Sequence, residues 1–539
     1  MIAATIRQYV SSVNLKNMDW GTLLPACIIL IIAAAIRLSL INDFSFTVDE
    51  STMIAFAQGV MERGYPFIMV GTMEVPLATY ELVPYPIALS MSLFGLNEFA
   101  VRLPSVLFAI GTAGLIYYAA YRWFDRYTAI LATLLYALSP WAIYWGHNSF
   151  HPAQAQFFAM LTLIRARTLL NDPTPSPKDY YLAALFFVLT FLSWEGSGFM
   201  LPVIFIAGLL VNFGTWQWLQ QRHLWYAIGI ISVVVVMQGI RRVLLQVSYL
   251  MIGSGKSETS LPQLMFTKND YNPWFYIINF FGQESNIVLT AVFVAGLFLL
   301  KNNRDLRFIY AIVFGAVFFL TNFLSFASAH YVYWALPFFE IGVAAVTIRF
   351  CDKLNMGQLK QALSVRVNTW LIVISLIGLE LATATPYGLK LYDLVDRWQD
   401  PQRYDLRIGL AGTDYKNLSL ILKREYQPGD VVVTLAGMPM EIYSGLKGQF
   451  FLQGVTAQKV IYDPGSASPY YVDKYVGSPV LRGREELENL CYRNDRVWLF
   501  IAPTRVFLKL QDPDLVDFID TRMKVVAESY DATLYLWSR

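Results

Sequence analysis

Apolar runs separated by short polar loops fill the first 386 residues. A helix that crosses a bilayer needs about 20 apolar residues. Eleven candidate spans fall at 21–41, 101–121, 128–146, 153–170, 180–195, 197–213, 225–245, 285–300, 306–326, 331–350 and 368–386. The runs at 180–195 and 285–300 are short, which predicts extension, tilt or part of a re-entrant hairpin. Basic residues collect in every second loop: Arg7 and Lys16; Arg122 and Arg126; Arg165, Arg167 and Lys178; Arg222; Lys301, Arg304 and Arg307; then Arg349, Lys353, Lys360 and Arg366. That is the positive-inside pattern with a cytoplasmic N-terminus. Residues 42–100, 246–284 and everything after about 387 then lie outside. Within the first of these, segments 51–63 and 80–94 are apolar enough to predict interfacial helices on the membrane surface.

The pattern changes after residue 387. Long apolar runs stop, and short β-type runs appear: Val431-Val432-Val433-Thr434-Leu435 after the turn Pro428-Gly429-Asp430, then Val460-Ile461-Tyr462 and Val497-Trp498-Leu499-Phe500-Ile501. Residues 484–492 and 514–523 read as helices between strands, and 525–537 as a hairpin. Strands alternating with helices predict a soluble α/β domain over 387–539 with a mostly parallel sheet. The linker falls at Thr385-Pro386-Tyr387-Gly388. The fold class is therefore an α-helical polytopic membrane protein of about eleven spans, followed by an extracytoplasmic α/β domain.

Composition agrees with the pattern. Charged residues make up 15% of the chain and apolar residues 56%, against roughly 25% charged in an average soluble domain. The net charge of +2 gives no reason to expect nucleic acid as a partner. Trp, Tyr and Phe gather at the ends of apolar runs, as an interfacial belt requires. Three cysteines, Cys27, Cys351 and Cys491, show neither metal spacing nor a disulfide framework. The first apolar run lacks a small-residue cleavage site, so it reads as a retained helix.

Chemistry concentrates where charge meets lipid. Asp49-Glu50 lies about a dozen residues after Arg37 in the first run. Adjacent residues point about 100° to 180° apart on any regular element, so only one of the two can act on a given substrate atom. A partly desolvated carboxylate is a better base. The plainer alternatives are a solvated loop pair, or Asp49 as the N-cap of a helix over 51–60. Arg241 and Arg242 sit at the outer end of a span, against the charge rule, which marks them as candidates for binding phosphate or as a pair snorkelling to headgroups. Lys256 is a further cation in the next loop. Glu195, in Ser193-Trp194-Glu195-Gly196-Ser197, is an acid at membrane depth; beside Trp194 it is placed to bind sugar hydroxyls, or it is a turn residue in water. Glu74 and Glu81 are candidates for the acceptor side. His147 and His151 have helical metal spacing, but Pro152 follows and predicts a helix start there, which argues against one helix carrying both, and no metal is expected.

The segment from Arg37 to Leu107 resembles the GT-C glycosyltransferases that use polyprenyl-phosphate sugars, the group of protein O-mannosyltransferases and lipid A aminoarabinose transferases. Arg37-Leu38, Val48-Asp49-Glu50-Ser51, Gly64-Tyr65-Pro66, Val75-Pro76-Leu77 and the string from Phe94-Gly95-Leu96-Asn97-Glu98 to Arg102-Leu103-Pro104-Ser105 carry it. Ser139-Pro140, His330-Tyr331 and Leu336-Pro337 look like later landmarks. The resemblance implies transfer of one sugar from a polyprenyl-phosphate donor to an extracytoplasmic acceptor, a glycan, lipid or protein, with inversion. Asp49 matches the family's catalytic acid and Glu50 is its support. Arg102, His330 and Tyr331 match positions near the donor phosphate, and Arg102 has a structural alternative, pairing with Glu98 or an acid of the long loop. No cofactor is required, and the location implied is the plasma (inner) membrane. The competing class is a multispan transporter or lipid-linked glycan flippase; against it stand the missing internal repeat and the large outer segments.

Overall fold

In a computed structural model of the chain, the described residues are 20–539 apart from 40, 43, 78, 173, 213–215, 254–271, 283–285, 325–327, 357–377, 379–412, 454–459, 464, 466–470, 505–506, 509–511 and 530. The expected span at 368–386 apart from residue 378, the linker at 385–388 and Lys256 lie outside the described residues.

The first helix, α1 (Trp20–Ser39), leads into the outer loop. There the chain forms α2 (Val48–Arg63), an antiparallel hairpin β1 (Phe67–Val70) and β2 (Met73–Pro76), and α3 (Pro84–Phe94). The hairpin is absent from the apolar pattern because its strands have only four residues each. Helix α2 begins three residues before the expected 51, because Thr47 caps it. Its hydroxyl accepts from Glu50 N, while the Glu50 carboxylate accepts from Thr47 N, a reciprocal capping box. The N-cap is thus Thr47, and Asp49 stands one residue inside the helix. Rather than lying alone on a membrane surface, α2 buries Met53, Ile54, Phe56 and Ala57 against its neighbours in the protein.

The helical body follows as α4 (Glu98–Trp123), α5 (Arg126–Leu138), α6 (Pro140–Gly146), α7 (His151–Asn171), α8 (Pro177–Ser193), α9 (Met200–Val211), α10 (Arg222–Gly253), α11 (Ile287–Ala295), α12 (Arg304–Phe323) and α13 (Leu336–Met356). A 3₁₀ turn, Glu195–Phe199, precedes α9, and another, Ala329–Ala335, precedes α13. Among the described residues four helices are long and apolar enough to cross a membrane: Glu98–Trp123, Arg222–Leu244, Arg304–Phe323 and Ala329–Cys351. The expected 128–146 run is broken. It bends by 63° between α5 and α6 at Ser139-Pro140, where the proline ring excludes a continuous helix. Shorter apolar helices at Leu23–Ser39, Glu195–Val211 and Ile287–Leu300 match three further runs.

The C-terminal segment contains α14 (Tyr415–Glu425), β3 (Val431–Thr434), α15 (Gly437–Ser444), β4 (Phe450–Leu452), β5 (Val460–Tyr462), β6 (Tyr471–Asp473), β7 (Val480–Leu481), α16 (Gly483–Arg493), β8 (Arg496–Ile501), α17 (Pro513–Arg522), β9 (Lys524–Ser529) and β10 (Ala532–Ser538). A six-stranded sheet runs β7-β4-β3-β8-β10-β9. Strands β7, β4, β3 and β8 pair in parallel, and the hairpin β9–β10 adds antiparallel to the β8 edge. The expected strand at 460–462 does not join this sheet but pairs with β6 apart from it.

This segment rests on the outer loop. Phe46 N donates to Tyr443 Oη at 2.8 Å, and their rings stack at 5.4 Å. Lys416 Nζ reaches Glu98 at 2.6 Å, and Thr72 donates from N and Oγ1 to Asp463 at 2.8 and 2.6 Å. Apolar packing is continuous across the contact, since Met438 and Val472 belong to the same core as the helical body.

Candidate active site

Glu50 and Arg102 form the rigid side of the site. Glu50 is 0% exposed and Arg102 is 2% exposed. Arg102 Nε and Nη2 hold the two carboxylate oxygens at 2.7 and 2.9 Å. Its remaining N–H groups go to the carbonyls of Ile41, Phe44 and Ser45 at 2.9 to 3.1 Å. All five guanidinium donors are thereby engaged, which leaves none for a phosphate. Arg102 closes the outer loop, pairing with the loop acid Glu50, while Glu98 meets Lys416 and Tyr443 instead. Glu50 also accepts from Ser149 N at 3.1 Å. Burial pushes its carboxyl up, but the Arg102 charge and these hydrogen bonds outweigh that, so it sits below its ordinary value. Such a carboxylate is a strut, not a base.

Asp49, one residue earlier, points elsewhere. Its side chain is open to solvent, unlike that of Glu50, yet protein crowds around it. The crowding of those groups and the Glu50 charge raise its carboxyl above its ordinary value, and Lys474 works against both. Tyr80, Tyr331 and Tyr475 all lie close enough to feel its charge. An accessible carboxylate with a raised proton affinity is what general-base chemistry needs.

An aromatic stack walls this space. Tyr80 lies on His151 at 4.6 Å, His151 on Trp194 at 5.6 Å, and Trp194 on Tyr331 at 5.0 Å. Tyr80 and Tyr331 also share a side-chain hydrogen bond. Tyr80 adopts φ 58°, a left-handed conformation that costs a bulky residue energy; its N–H is held by Glu195 at 3.2 Å. Trp194 is buried, with ring neighbours on its faces, so it supports the wall and its face is not offered to a pyranose. Glu195 is half-buried at that wall, within reach of the Arg242 charge.

The two arginines of α10 separate. Arg241 is ion-paired with Glu81 and donates to Leu77 O at 3.0 Å, and Gln238 also reaches Glu81 at 2.6 Å. This pair ties α10 to the outer loop. Arg242 is exposed, and its charge acts on Glu195 and Tyr331. His330 bonds Ser328 at 2.8 Å and packs against Trp145, His151 and Tyr331, beside the same wall. Glu74 is tied to Arg63 and Tyr65 on the exposed hairpin, and Glu81 to Arg241, which leaves neither carboxylate without a partner. His147 ends α6 against Phe44, and His151 starts α7 in the stack, so the two serve separate surroundings. Among the described residues, no group of three or more His, Cys, Asp or Glu side chains is placed to hold a metal.

Asp49, Tyr331, Glu195 and Arg242 are therefore brought to one place; Arg102 borders it through Glu50 with all its donors engaged, and Glu74 stays apart on the hairpin. Sequence reasoning missed Tyr80, Lys474 and Tyr475. The first is set by an unusual backbone angle, and the others come from a segment without a motif.

A family model described as dolichyl-phosphate-mannose-protein mannosyltransferase matches residues 81–240. No curated protein sequence matches the chain. Among solved structures, ArnT from Cupriavidus metallidurans in the apo state superposes with TM-score 0.61 at 12% identity, covering 95% of this chain and 97% of that one. The same protein bound to undecaprenyl phosphate gives 0.59 at 12% identity over 95% and 97%. The archaeal oligosaccharyltransferase AglB from Archaeoglobus fulgidus, in complex with an inhibitory peptide and a dolichol-phosphate, gives 0.47 at 12% over 80% and 65%. The fold is that of the GT-C glycosyltransferases, the class whose resemblance the sequence carries. In fold the chain is similar to ArnT along nearly its whole length.

Proposed function

We propose that this protein is an inverting membrane glycosyltransferase that moves one sugar from a polyprenyl-phosphate donor to a hydroxyl on an extracytoplasmic acceptor. The observation that carries the reading is the split of the acidic pair. Glu50 is locked in an ion pair, and Asp49 stands free of that pair and open to the space where a substrate would enter. In the reaction Asp49 removes the acceptor proton, the acceptor oxygen attacks the anomeric carbon, and the lipid phosphate departs in a single displacement. Phosphate leaves well, so one base suffices and no cofactor is asked for. Arg242, at the edge of the site, receives the phosphate charge. That a protein of the same fold is described bound to undecaprenyl phosphate supports the donor class.

The same reading has about eleven spans, a cytoplasmic N-terminus and the C-terminal segment outside the plasma (inner) membrane. The repeated basic loops support it. The test is to incubate the purified protein with radiolabelled polyprenyl-phosphate mannose, glucose and arabinose-type donors and to follow sugar release or transfer. The expected result is turnover of one donor, with the anomeric configuration inverted in any transfer product. Lipid or solute flux in proteoliposomes, with no donor cleaved, would overturn the reading.

A further inference from the structure

We propose that the turn at residues 473–478 of the C-terminal segment is part of the active site, with Lys474 as the cation that positions the Asp49 carboxylate. This rests on the reading of Asp49 as the base.

Three observations build the argument. The turn is internally fixed. The buried Asp473 carboxylate accepts from the backbone N–H groups of Tyr475, Val476 and Ser478 at 2.9, 3.2 and 2.9 Å, and Gly477 N closes back onto Asp473 O at 3.1 Å. Such a wrapped carboxylate leaves the intervening side chains little freedom of direction. Next, the turn is docked on the outer loop. Gly477, at φ 74°, lies so close to Gly71, at φ 60°, that a Cβ on Gly477 would strike the Gly71 backbone. Thr72, next to Gly71, is held through both N and Oγ1 by Asp463. Two glycines permit backbone to lie on backbone here, and any side chain would push the turn away.

The third observation is what the docking delivers. Tyr475 and Val476 line a cavity with Ser51 and Ala55 of the helix that carries Asp49, and Lys474, its Nζ 5.0 Å from the Tyr475 ring centre, comes within range of the Asp49 charge. Asp49 is faced by Glu50 on its own helix, by Tyr80 after the hairpin, by Tyr331 before α13 and by this turn. Glu50 already belongs to Arg102. Among the described residues, Lys474 is the cation whose charge acts on Asp49. A nearby cation opposes the crowding and the Glu50 charge that disfavour the Asp49 anion. The C-terminal segment supplies that cation across a docked interface, so the helical body alone would hold an incomplete site.

The experiment uses the full chain in detergent, with the donor panel above. Lys474→Gln should move the acidic limb of the pH profile of donor turnover to higher pH by about one unit, since an opposite charge lowers a carboxylate's pKa by roughly 1–3 units. Lys474→Arg should restore it, and both variants should melt as the parent does. A Lys474→Gln profile that overlays the parent, while Asp49→Asn is inactive, would overturn the role of Lys474 and leave the base assignment standing. A second arm needs no turnover. Asp49→Cys combined with Lys474→Cys should bridge with a short bis-thiol reagent, and Asp49→Cys combined with a cysteine at Arg482 should not. Absence of the first bridge in folded protein overturns the proposal whatever the assay gives.

Discussion

Glu50 and Asp49 are neighbours in sequence and opposites in environment, and substitution should separate them. Glu50→Gln removes one partner of a buried ion pair and leaves Arg102 charged and uncompensated. That class of change costs about 3–5 kcal/mol, so the expected outcome is a large fall in melting temperature together with loss of turnover. Thr47→Ala removes only the hydroxyl half of the capping box, at about 1 kcal/mol, and should lower the melting temperature slightly. Equal melting of Glu50→Gln and the parent would contradict the strut role. The pH dependence follows from Asp49. Burial and the Glu50 charge raise its pKa, with Lys474 opposing them, and a base acts only when deprotonated. Turnover should therefore fall as pH drops through that raised value, at a higher pH than for an ordinary aspartate. At this scale much was legible. The resemblance around Val48-Asp49-Glu50-Ser51 singled out Asp49, and the angle between neighbours required one acid to be the helper. The N-cap was expected at Asp49, but the capping box runs from Thr47 to Glu50, three residues on. The backbone angle of Tyr80 was not legible, since the residue whose carboxylate holds its N–H, Glu195, is 115 residues away.

On α10, two arginines in succession broke the charge rule, and the rule could not divide them. Residues one apart on a helix point about 100° apart, so the outer loop decides which is used. Arg241 meets Glu81 and the Leu77 carbonyl, and Arg242 remains exposed toward Glu195 and Tyr331. Arg242→Gln is expected to raise the donor KM by about tenfold or more, as loss of a charge-assisted hydrogen bond would, with melting unchanged. Arg241→Gln is expected to lower the melting temperature, because it releases α10 from the loop. The reverse pattern in steady-state kinetics and thermal melts would exchange their roles. Other elements show where the apolar pattern stops being informative. It located the helices at 101–121 and 306–326, but it read 128–146 as one element although Pro140 breaks it. It also passed over β1–β2, whose four-residue strands carry no resolvable period.

Across the whole molecule, the outer loop is held between the helical body and the C-terminal segment. The alternation of strands and helices after residue 415 was legible, including the final hairpin. The mixed pairing was not, since nothing in the apolar pattern of β10 distinguishes an antiparallel neighbour from a parallel one. The docking of this segment was not legible either. It depends on Asp463 meeting Thr72 and on Gly477 meeting Gly71, pairs about 400 residues apart with no local signal. Asp463→Ala should loosen that contact and reduce turnover, while the C-terminal sheet keeps its fold in a hydrogen-exchange measurement.

The pH dependence of turnover depends on Asp49 being the base, and one comparison tests that directly. Asp49→Asn keeps the size of the side chain and removes its ability to take a proton. Measured beside the parent on the same radiolabelled polyprenyl-phosphate sugar, with equal melting temperatures, it should turn over about 10²–10⁴-fold more slowly, the span that general-base catalysis contributes. An Asp49→Asn rate equal to that of the parent would contradict the account.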